Sequence, residues 1–255
     1  MKQVSSINPH YKESEALKNF MHNLPRSFEL GGTMLWNGRN KIKAFPIENG
    51  EEIVVKRFKR LRPLQKLIYS VRRHKARKAY ENGIELTRRG FDTPTPIAFM
   101  EIWSDKLLKD AYYICGRNDN PPIEELTYRD NWNKELAIAF AQFAACLHMA
   151  GVLHHDLNDT NVRYSIKDDQ YAFSLIDINR MTFYDSIDDI PMKERIENLT
   201  RFTGRIDLFE FVAREYARAC GLDVEEWTNT AVEQKRRHDR NWYRRKRLLH
   251  PFRKR

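Results

Sequence analysis

The chain has 255 residues, of which 41% are hydrophobic and 12% aromatic, a composition that excludes an intrinsically disordered protein and can supply a large core. The N-terminus lacks the apolar segment of a secretory signal, so none is expected. The three cysteines are scattered without CxxC spacing. Neither a disulfide framework nor catalysis by a thiol is therefore expected, and a reducing compartment fits.

Positive charge is concentrated in two segments. Residues 53–80 hold eleven Lys or Arg and no acidic residue, and residues 235–255 hold eleven Lys or Arg with a single Asp. Because the whole chain carries a net charge of only +10, the remainder is acidic. Concentrated positive charge indicates an anionic partner, such as nucleic acid or an anionic membrane surface, although a solvated helix face shows the same pattern.

The first part of the chain predicts an antiparallel sheet. Residues 1–26 are interpreted as a helical or irregular lead-in that ends near Pro25. Two strand-like runs flank Asn37-Gly38, a dipeptide that favours positive φ at both central positions of a hairpin turn. A second turn is expected at residues 48–50, and the third strand follows over Glu52–Phe58.

A helical stretch and two more strands complete this first lobe. Residues 61–89 are predicted to be helical, with a break around residues 70–74 and an end at Gly90. Strands four and five are predicted over residues 96–103 and 111–115. The fold class is therefore α+β, with a lead-in over 1–26, a lobe of five antiparallel strands plus helix over 27–116, and a mainly helical lobe over 117–255.

The second lobe opens with a helix that is apolar nearly all round, Lys134–Met149. Because residues 136–153 carry no charge, a membrane-spanning helix must be considered. Gln142 and His148 lie inside this stretch, Gly151 interrupts it, and a spanning helix needs about 20 strongly apolar residues. The stretch is therefore interpreted as a buried core helix.

The rest of this lobe is predicted as two short strands and two helices. The strands cover residues 162–164 and 171–176. An amphipathic helix over residues 205–220 ends at Gly221. Asp223-x-x-Glu226 resembles a capping box that opens a last helix, and that helix continues into the basic tail.

The segment between the apolar helix and these strands reads His154-x-Asp156-Leu157-x-x-x-Asn161, which is the spacing of a kinase catalytic loop. Asp156 is the candidate carboxylate that orients an acceptor hydroxyl and takes its proton. Asn161, and Asp177 after the next apolar strand, offer the oxygen ligands that a divalent cation prefers. A zinc site at the adjacent histidines is not expected, because no third ligand follows at helical spacing.

The first lobe offers groups for a nucleotide. Lys56 ends strand three inside an apolar run, which fits either a phosphate-binding lysine or an edge-strand lysine with its amine in water. Glu81 on the following helix is the candidate partner of Lys56, and Glu85 is its rival. The hairpin tip is the candidate cover for phosphates, and it consists of Asn37, Gly38, Arg39 and Asn40. Adenine contacts through the backbone are expected at Ile114, Cys115 and Gly116.

Several motifs together resemble the protein-kinase-like superfamily and, more narrowly, the lipopolysaccharide core kinases, the Kdo and heptose kinase group. They are Asn37 to Asn40, Val55-Lys56, Lys75 to Glu81, Thr93 to Ile97, His154 to Asn161 and Leu175 to Arg180. The resemblance implies transfer of phosphate from ATP, with Mg²⁺, to a sugar hydroxyl of the lipopolysaccharide inner core. By position, it implies that Lys56 binds phosphates, Glu81 pairs with Lys56, and Asp156 is the base. Asn161 and Asp177 would then hold Mg²⁺.

Differences from the protein-kinase sequence motifs narrow the class of acceptor molecule that is expected. His155 stands where many of them have Arg, and Asn158 where Ser/Thr kinases have Lys. The strand motif is Asp177-Ile178-Asn179 in place of Asp-Phe-Gly, and no Ala-Pro-Glu follows. These differences favour a small-molecule or glycolipid acceptor over a protein, and Kdo of Kdo-lipid A is the preferred acceptor.

The same resemblance implies that the two basic segments bind anionic partners. The expected partners are an anionic glycolipid and an anionic membrane surface, the latter through segments 56–78 and 235–255, at the cytoplasmic face of the inner membrane. Aromatic and aliphatic residues interleave with the tail's charges and could enter the interface. Nucleic acid is not an expected partner, although basic-aromatic tails also suit RNA. The alternatives are a kinase of another small molecule or of protein, and a catalytically silent kinase-like module.

Overall fold

The computed structural model describes residues 2–47, 51–59, 74–128 and 131–249, with side chains described as far as residue 246. The chain divides into two compact units. The first unit comprises residues 1–119 together with residues 177–180, and the second comprises residues 120–176 and 181–255. The first is built on an antiparallel sheet and the second is mainly helical, which confirms the predicted α+β class.

The first unit is one six-stranded antiparallel sheet with helices packed on it. Its elements are β1 (Lys2–Ile7), α1 (Glu15–Leu30), β2 (Thr33–Asn37), β3 (Lys41–Pro46), β4 (Glu52–Arg57), α2 (Lys75–Arg88), β5 (Pro96–Ser104) and β6 (Leu107–Gly116). The strand order is β1-β5-β6-β4-β3-β2. Strands β4, β5 and β6 lie inside the sheet, and their apolar side chains form most of its core.

The predicted five-stranded sheet is wrong by one strand, and the predicted lead-in over residues 1–26 is a strand and a helix. Residues 2–7 form β1, which pairs antiparallel with β5 so that Ile7 lies opposite Ala98. This pairing covers the backbone hydrogen-bonding groups along one side of β5, which would otherwise form an open edge.

Helix α1 does not end at Pro25 but continues to Leu30. A proline inside a helix typically destabilises it by about 3 kcal/mol. Here the loss is offset by four side chains at helical spacing, which are almost fully buried against the sheet: Leu17, Met21, Leu24 and Phe28. The N-terminus of helix α1 is capped by Ser14, whose hydroxyl accepts a hydrogen bond from the Leu17 N–H at 3.1 Å.

The predicted β2–β3 hairpin is confirmed, but its turn differs from the prediction. Asn37 still pairs with Lys41, so the loop has three residues, 38–40, and neither Asn37 nor Gly38 has positive φ. The exposed Trp36 ring lies against Gly38, so that a Cβ there would collide with it. The turn expected at residues 48–50 and the first part of the helical stretch, residues 60–73, lie outside the described residues.

The second unit contains five helices and two small sheets among its described residues. They are α3 (Glu125–Tyr128), α4 (Lys134–Met149), β7 (Val152–His154), β8 (Val162–Lys167), β9 (Gln170–Leu175), β10 (Met181–Phe183), α5 (Met192–Leu199), α6 (Ile206–Ala219) and α7 (Val224–Leu249). Strand β7 pairs with β10, and β8 pairs with β9. Across the described ranges, no helix is both long and apolar enough to cross a bilayer.

Helices α4, α6 and α7 form the core of this unit. The buried side of α4 includes Leu136, Phe140 and Ala144, each fully buried, which confirms the predicted core helix. The predicted cap of the last helix is also present, since Asp223 accepts a hydrogen bond from the Glu226 N–H at 2.8 Å. Helix α7 is 26 residues long and therefore includes most of the basic tail.

Candidate active site

The first unit brings together Lys56 and Asp177, which are 121 residues apart in the chain. Strand β4 lies between β3 and β6, so Lys56 is not on an edge strand and that interpretation is wrong. The Lys56 side chain is 16% exposed, and its amine forms an ion pair with the Asp177 carboxylate. The amine also lies 5.3 Å from the centre of the Phe58 ring. The lysine is therefore fixed by a carboxylate on one side and an aromatic face on another.

The segment that follows Asp177 is fastened to helix α2. Asp177 has φ +55, a left-handed conformation that is uncommon outside glycine. The Asn179 side-chain amide donates a hydrogen bond to the Asp177 carboxylate at 2.7 Å. The Asn82 amide of α2 donates to the Ile178 carbonyl at 2.7 Å. Asn179, noted in the sequence only as a departure from Asp-Phe-Gly, therefore helps to orient the carboxylate.

The two glutamates proposed as partners of Lys56 each form ion pairs with nearby arginines. Glu81 forms an ion pair with Arg77 at 2.8 Å. Glu85 pairs with Arg88 and Arg89, and the hydrogen bond from Arg88 is the main cause that lowers the pKa of Glu85 to about 2. The pairing of Lys56 with Glu81 therefore stays a prediction.

Further cations lie around the Lys56–Asp177 pair. Lys75, the first residue of α2, is partly buried, and its pKa is lowered by burial and then by the positive charges of Arg180, Arg39 and Lys56. Asp177 acts on it in the opposite direction. The region is therefore strongly electropositive and suited to phosphate groups. Arg39 was expected here, whereas Lys75 and Arg180 were missed.

The other residues expected at the nucleotide lie in two places. Gly38 and Arg39 line a cavity of about 280 Å³, and the Asn40 side chain accepts a hydrogen bond from the Lys59 N–H at 3.1 Å. The residues expected at the adenine lie at the end of β6: Ile114, Cys115 and Gly116. The Gly116 N–H donates to the Thr95 carbonyl, and burial raises the pKa of the Cys115 thiol to about 12. That thiol is therefore protonated and unreactive at neutral pH.

In the second unit, His154 holds the catalytic-loop backbone. Its Nδ1 accepts a hydrogen bond from the Asp156 N–H at 3.2 Å. The proton must then lie on Nε2, which donates to the Ile176 carbonyl at 3.0 Å. His154 is 1% exposed, so both bonds are shielded from water. One buried imidazole thus fixes the backbone of the candidate base and of the residue that precedes Asp177.

Asn161 and Asn158 shape the rest of this loop. The Asn161 amide donates to the Asp156 carbonyl at 2.9 Å, which leaves its carbonyl oxygen as the atom that can serve a metal ion. The Asn158 side chain accepts hydrogen bonds from the N–H groups of Thr160 and Asn161, at 3.1 and 2.9 Å. Amide and carboxylate oxygens of the Asn161 and Asp177 type are the hard ligands that Mg²⁺ takes. The described residues contain no group of three or more His, Cys, Asp or Glu placed for a metal.

A buried chain of hydrogen bonds supports the loop from behind, and sequence reasoning missed it. The Asn198 amide donates to the His154 carbonyl, so the oxygen of the same amide must accept from His148 Nε2 at 3.0 Å. His148 Nδ1 then accepts from the Tyr216 hydroxyl at 2.8 Å. Burial lowers the pKa of His148 to about 4, which keeps it neutral for this arrangement. We refer to Tyr216, His148 and Asn198 as the relay.

Asp156 itself lies beside Arg201, with 3.7 Å between its Oδ1 and Arg201 Nη1. His155, the neighbour of Asp156 in the chain, has Nε2 2.7 Å from the Thr182 hydroxyl. Burial lowers the pKa of His155, so it is neutral at pH 7. The cation next to the candidate base is therefore supplied by Arg201, a residue that sequence reasoning did not single out.

Comparison with solved structures identifies the fold. The chain is similar to WaaP in complex with acyl carrier protein (TM-score 0.58, 17% identity, 92% of this chain and 99% of that one). It is also similar to the amicoumacin kinase hAmiN in complex with AMP-PNP, Ca²⁺ and Ami (0.54, 9%, 89% and 87%). A third similar structure is the Rio2 kinase–ADP/Mg²⁺–phosphoaspartate complex from Chaetomium thermophilum (0.50, 15%, 91% and 71%). These likenesses confirm the predicted protein-kinase-like fold.

The fold class is therefore that of the protein-kinase-like proteins. No curated protein sequence matches the chain significantly. The model of the lipopolysaccharide kinase (Kdo/WaaP) family matches residues 55–220, more than half of the chain. The chain belongs to this family, and it is therefore a phosphotransferase that acts on a sugar hydroxyl of the lipopolysaccharide core.

Proposed function

We propose that this enzyme transfers the γ-phosphate of ATP to a hydroxyl of Kdo in Kdo-lipid A, with Mg²⁺ as its metal ion. The observation that carries the proposal is the ion pair between Lys56 on β4 and Asp177 after β9. A partly buried lysine paired with an aspartate that follows a strand supplies the cation for nucleotide phosphates and the carboxylate for their metal. The surrounding positive charges of Arg39, Lys75 and Arg180 favour the same anionic ligand.

The residues of the catalytic loop would act on the acceptor. Asp156 orients the hydroxyl and takes its proton as the oxygen forms a bond to the γ-phosphorus. The bond between that phosphorus and the β–γ bridging oxygen breaks, and ADP leaves. Asn161 and Asp177 would hold Mg²⁺, which neutralises charge on the phosphate oxygens when bound. His154 and the relay keep the Asp156 backbone in place while this happens.

We also propose that the enzyme works as a peripheral protein on the cytoplasmic face of the inner membrane. Six basic side chains on α7 are exposed: Arg236, Arg237, Arg240, Arg244, Arg245 and Lys246. Trp242 and Tyr243 are 48% and 65% exposed among them, and the Lys246 amine lies 4.6 Å from the centre of the Trp242 ring. Basic residues near an anionic bilayer contribute about 1 kcal/mol each, so this helix could hold the enzyme reversibly.

The other basic segment, 56–78, is weaker support for membrane contact where it is described. Lys56 pairs with Asp177, and Arg57 is buried between Glu29 and Asp110 at 2.5 and 2.8 Å. These two charges are therefore used inside the first unit. Residues 60–73 lie outside the described part of the chain, so their membrane contact stays a prediction.

A transfer assay tests the proposed reaction. The enzyme is incubated with ³²P-labelled ATP, Mg²⁺ and one of three acceptors: Kdo-lipid A, a heptose-containing core glycolipid, or a mixture of proteins. We expect label in Kdo-lipid A, with mass spectrometry placing the phosphate on Kdo. Label only in the heptose would refute Kdo as the acceptor, and label only in protein would refute a glycolipid acceptor altogether.

A matched pair of variants tests the site. Asp156→Asn should abolish transfer while nucleotide binding remains, because only the proton acceptor is removed. Asp169→Asn is the control, since Asp169 is exposed on the β8–β9 turn in a left-handed conformation that asparagine also adopts. Substantial activity in Asp156→Asn would show that another group is the base.

A further inference from the structure

The second unit contains a cavity of about 370 Å³ whose lining includes His155, the neighbour of the candidate base in the chain. This size lies in the range of small-molecule sites and is large enough for a monosaccharide. Arg201 lines the cavity and is also the residue whose guanidinium lies 3.7 Å from the Asp156 carboxylate. The cavity is therefore connected to Asp156 through Arg201 and through His155, which precedes Asp156 in the chain.

One face of helix α5 and the turn after it supplies most of the polar lining. Lys193, Glu194, Glu197 and Arg201 all line the cavity. Lys193 and Glu197 are four residues apart and Glu194 and Glu197 three, which places these helix residues on one side. Lys193, Glu197 and Arg201 are exposed, so a ligand can reach them. The opposite side of the helix is anchored by Ile196 and Leu199, which are almost fully buried.

The chemistry of this lining is that of a site for an acidic sugar. Two cations can bind a carboxylate, and Arg offers the paired donors that match its two oxygens. The carboxylates of Glu194 and Glu197 can accept hydrogen bonds from sugar hydroxyl groups. A wholly basic cavity would select phosphate, whereas two cations beside two carboxylates suit one anionic group next to several hydroxyls.

We propose that this cavity is the acceptor site and that it binds a sugar acid, with Lys193 and Arg201 on the sugar's carboxylate and Glu194 and Glu197 on its hydroxyls. The proposal rests on the proposed function, because it assigns the acceptor half of that reaction. It also explains the arrangement around Asp156, since the neutral His155 leaves Arg201 to bring positive charge to both the base and the substrate.

Direct binding tests the cavity without relying on transfer. Saturation-transfer NMR measures binding of free Kdo to the full chain in the absence of nucleotide. We expect binding by the wild-type protein and a dissociation constant at least about 10-fold weaker for Lys193→Gln, because a charge-assisted hydrogen bond is lost. Arg218→Gln is the control, since Arg218 is 56% exposed, pairs with Glu215 on α6 and does not line the cavity. Failure of Kdo to bind the wild type, or equal binding by Lys193→Gln, would overturn the proposal.

Kinetics then separate this proposal from the function on which it rests. Lys193→Gln and Glu197→Gln should each raise the KM for the glycolipid by about 10-fold and leave the KM for ATP unchanged. For an acceptor whose carboxylate has been reduced to an alcohol, the KM should be the same with the wild-type enzyme and with Lys193→Gln. Transfer to Kdo-lipid A with wild-type KM values in both variants would refute the cavity alone. Kdo binding that depends on Lys193, without any transfer to Kdo, would refute the proposed reaction and leave the binding site standing.

Discussion

Replacement of Asn198 by leucine should separate the relay from ordinary core packing. The side chain is 4% exposed, and it accepts from His148 and donates to the His154 carbonyl. Leucine has a similar volume but neither hydrogen-bonding group. The change therefore leaves the His148 Nε2–H and the His154 carbonyl buried without these partners.

The expected magnitude follows from those two groups. A buried polar group left without a partner costs about 1–3 kcal/mol, so two such groups predict a loss of about 2–6 kcal/mol in the free energy of unfolding. Tyr216→Phe removes only the hydroxyl that donates to His148 Nδ1. It should lower the free energy of unfolding by only about 1 kcal/mol.

The assay combines urea unfolding with steady-state kinetics. Asn198→Leu should lower both the free energy of unfolding and kcat. Asn198 holds the carbonyl of His154, and the His154 ring in turn accepts the hydrogen bond from the Asp156 N–H. The KM for ATP should not change, since Lys56 and Asp177 keep their contact. Asn229→Leu is the matched control, because Asn229 is exposed on α7 and such substitutions usually stay within about 0.5 kcal/mol. If Asn198→Leu unfolds with wild-type free energy, the relay does not support the loop.

Three other changes test separate features. Lys56→Met should lower kcat/KM by about 100-fold, because a fixed cation at the phosphates is lost, while Lys109→Met, at an exposed position on β6, should keep wild-type kinetics. His74 has its pKa lowered to about 4 by burial, so the unfolded chain binds a proton near pH 6.5 that the folded chain does not. This contribution to stability is complete above pH 6.5 and falls as the pH drops towards 4. From pH 7 to 5 the free energy of unfolding should fall by about 2 kcal/mol less in His74→Asn than in wild type, and an equal fall would contradict the burial argument. Removal of the residues after Asp239 should weaken binding to anionic vesicles at low salt, and unchanged binding would refute membrane contact by α7.

The sequence was sufficient where a pattern is local. Lys134–Met149 was identified as a buried helix because its apolar residues extend over more than one face without reaching the length of a membrane span. Spacing also placed Asp156 and Asn161 on one loop, and the structure joins them by a hydrogen bond from the Asn161 amide to the Asp156 carbonyl. Short-range geometry of this kind depends on residues only five positions apart.

Prediction failed where distant residues decide the outcome. Nothing within Lys2–Ile7 reveals that it forms a strand, because its partner β5 begins about 90 residues later. Pro25 was given too much weight as a helix breaker, since the burial of Phe28 depends on a sheet that the helix sequence alone does not contain. The relay was invisible for the same reason, as His148 and Tyr216 meet across 68 residues.

The buried Lys235 has a consequence for how α7 behaves. Its amine bonds to Asp239 one turn further along, at 2.7 Å, and its side chain is 2% exposed. The first charge of the basic tail thus belongs to the protein core, and the same helix continues to Leu249. At 1.5 Å per residue this helix is about 39 Å long. A bilayer that bound the far end of α7 would therefore be attached to a continuous helix and not to a flexible linker. Such an attachment would restrict the angles at which the second unit can face the lipid headgroups.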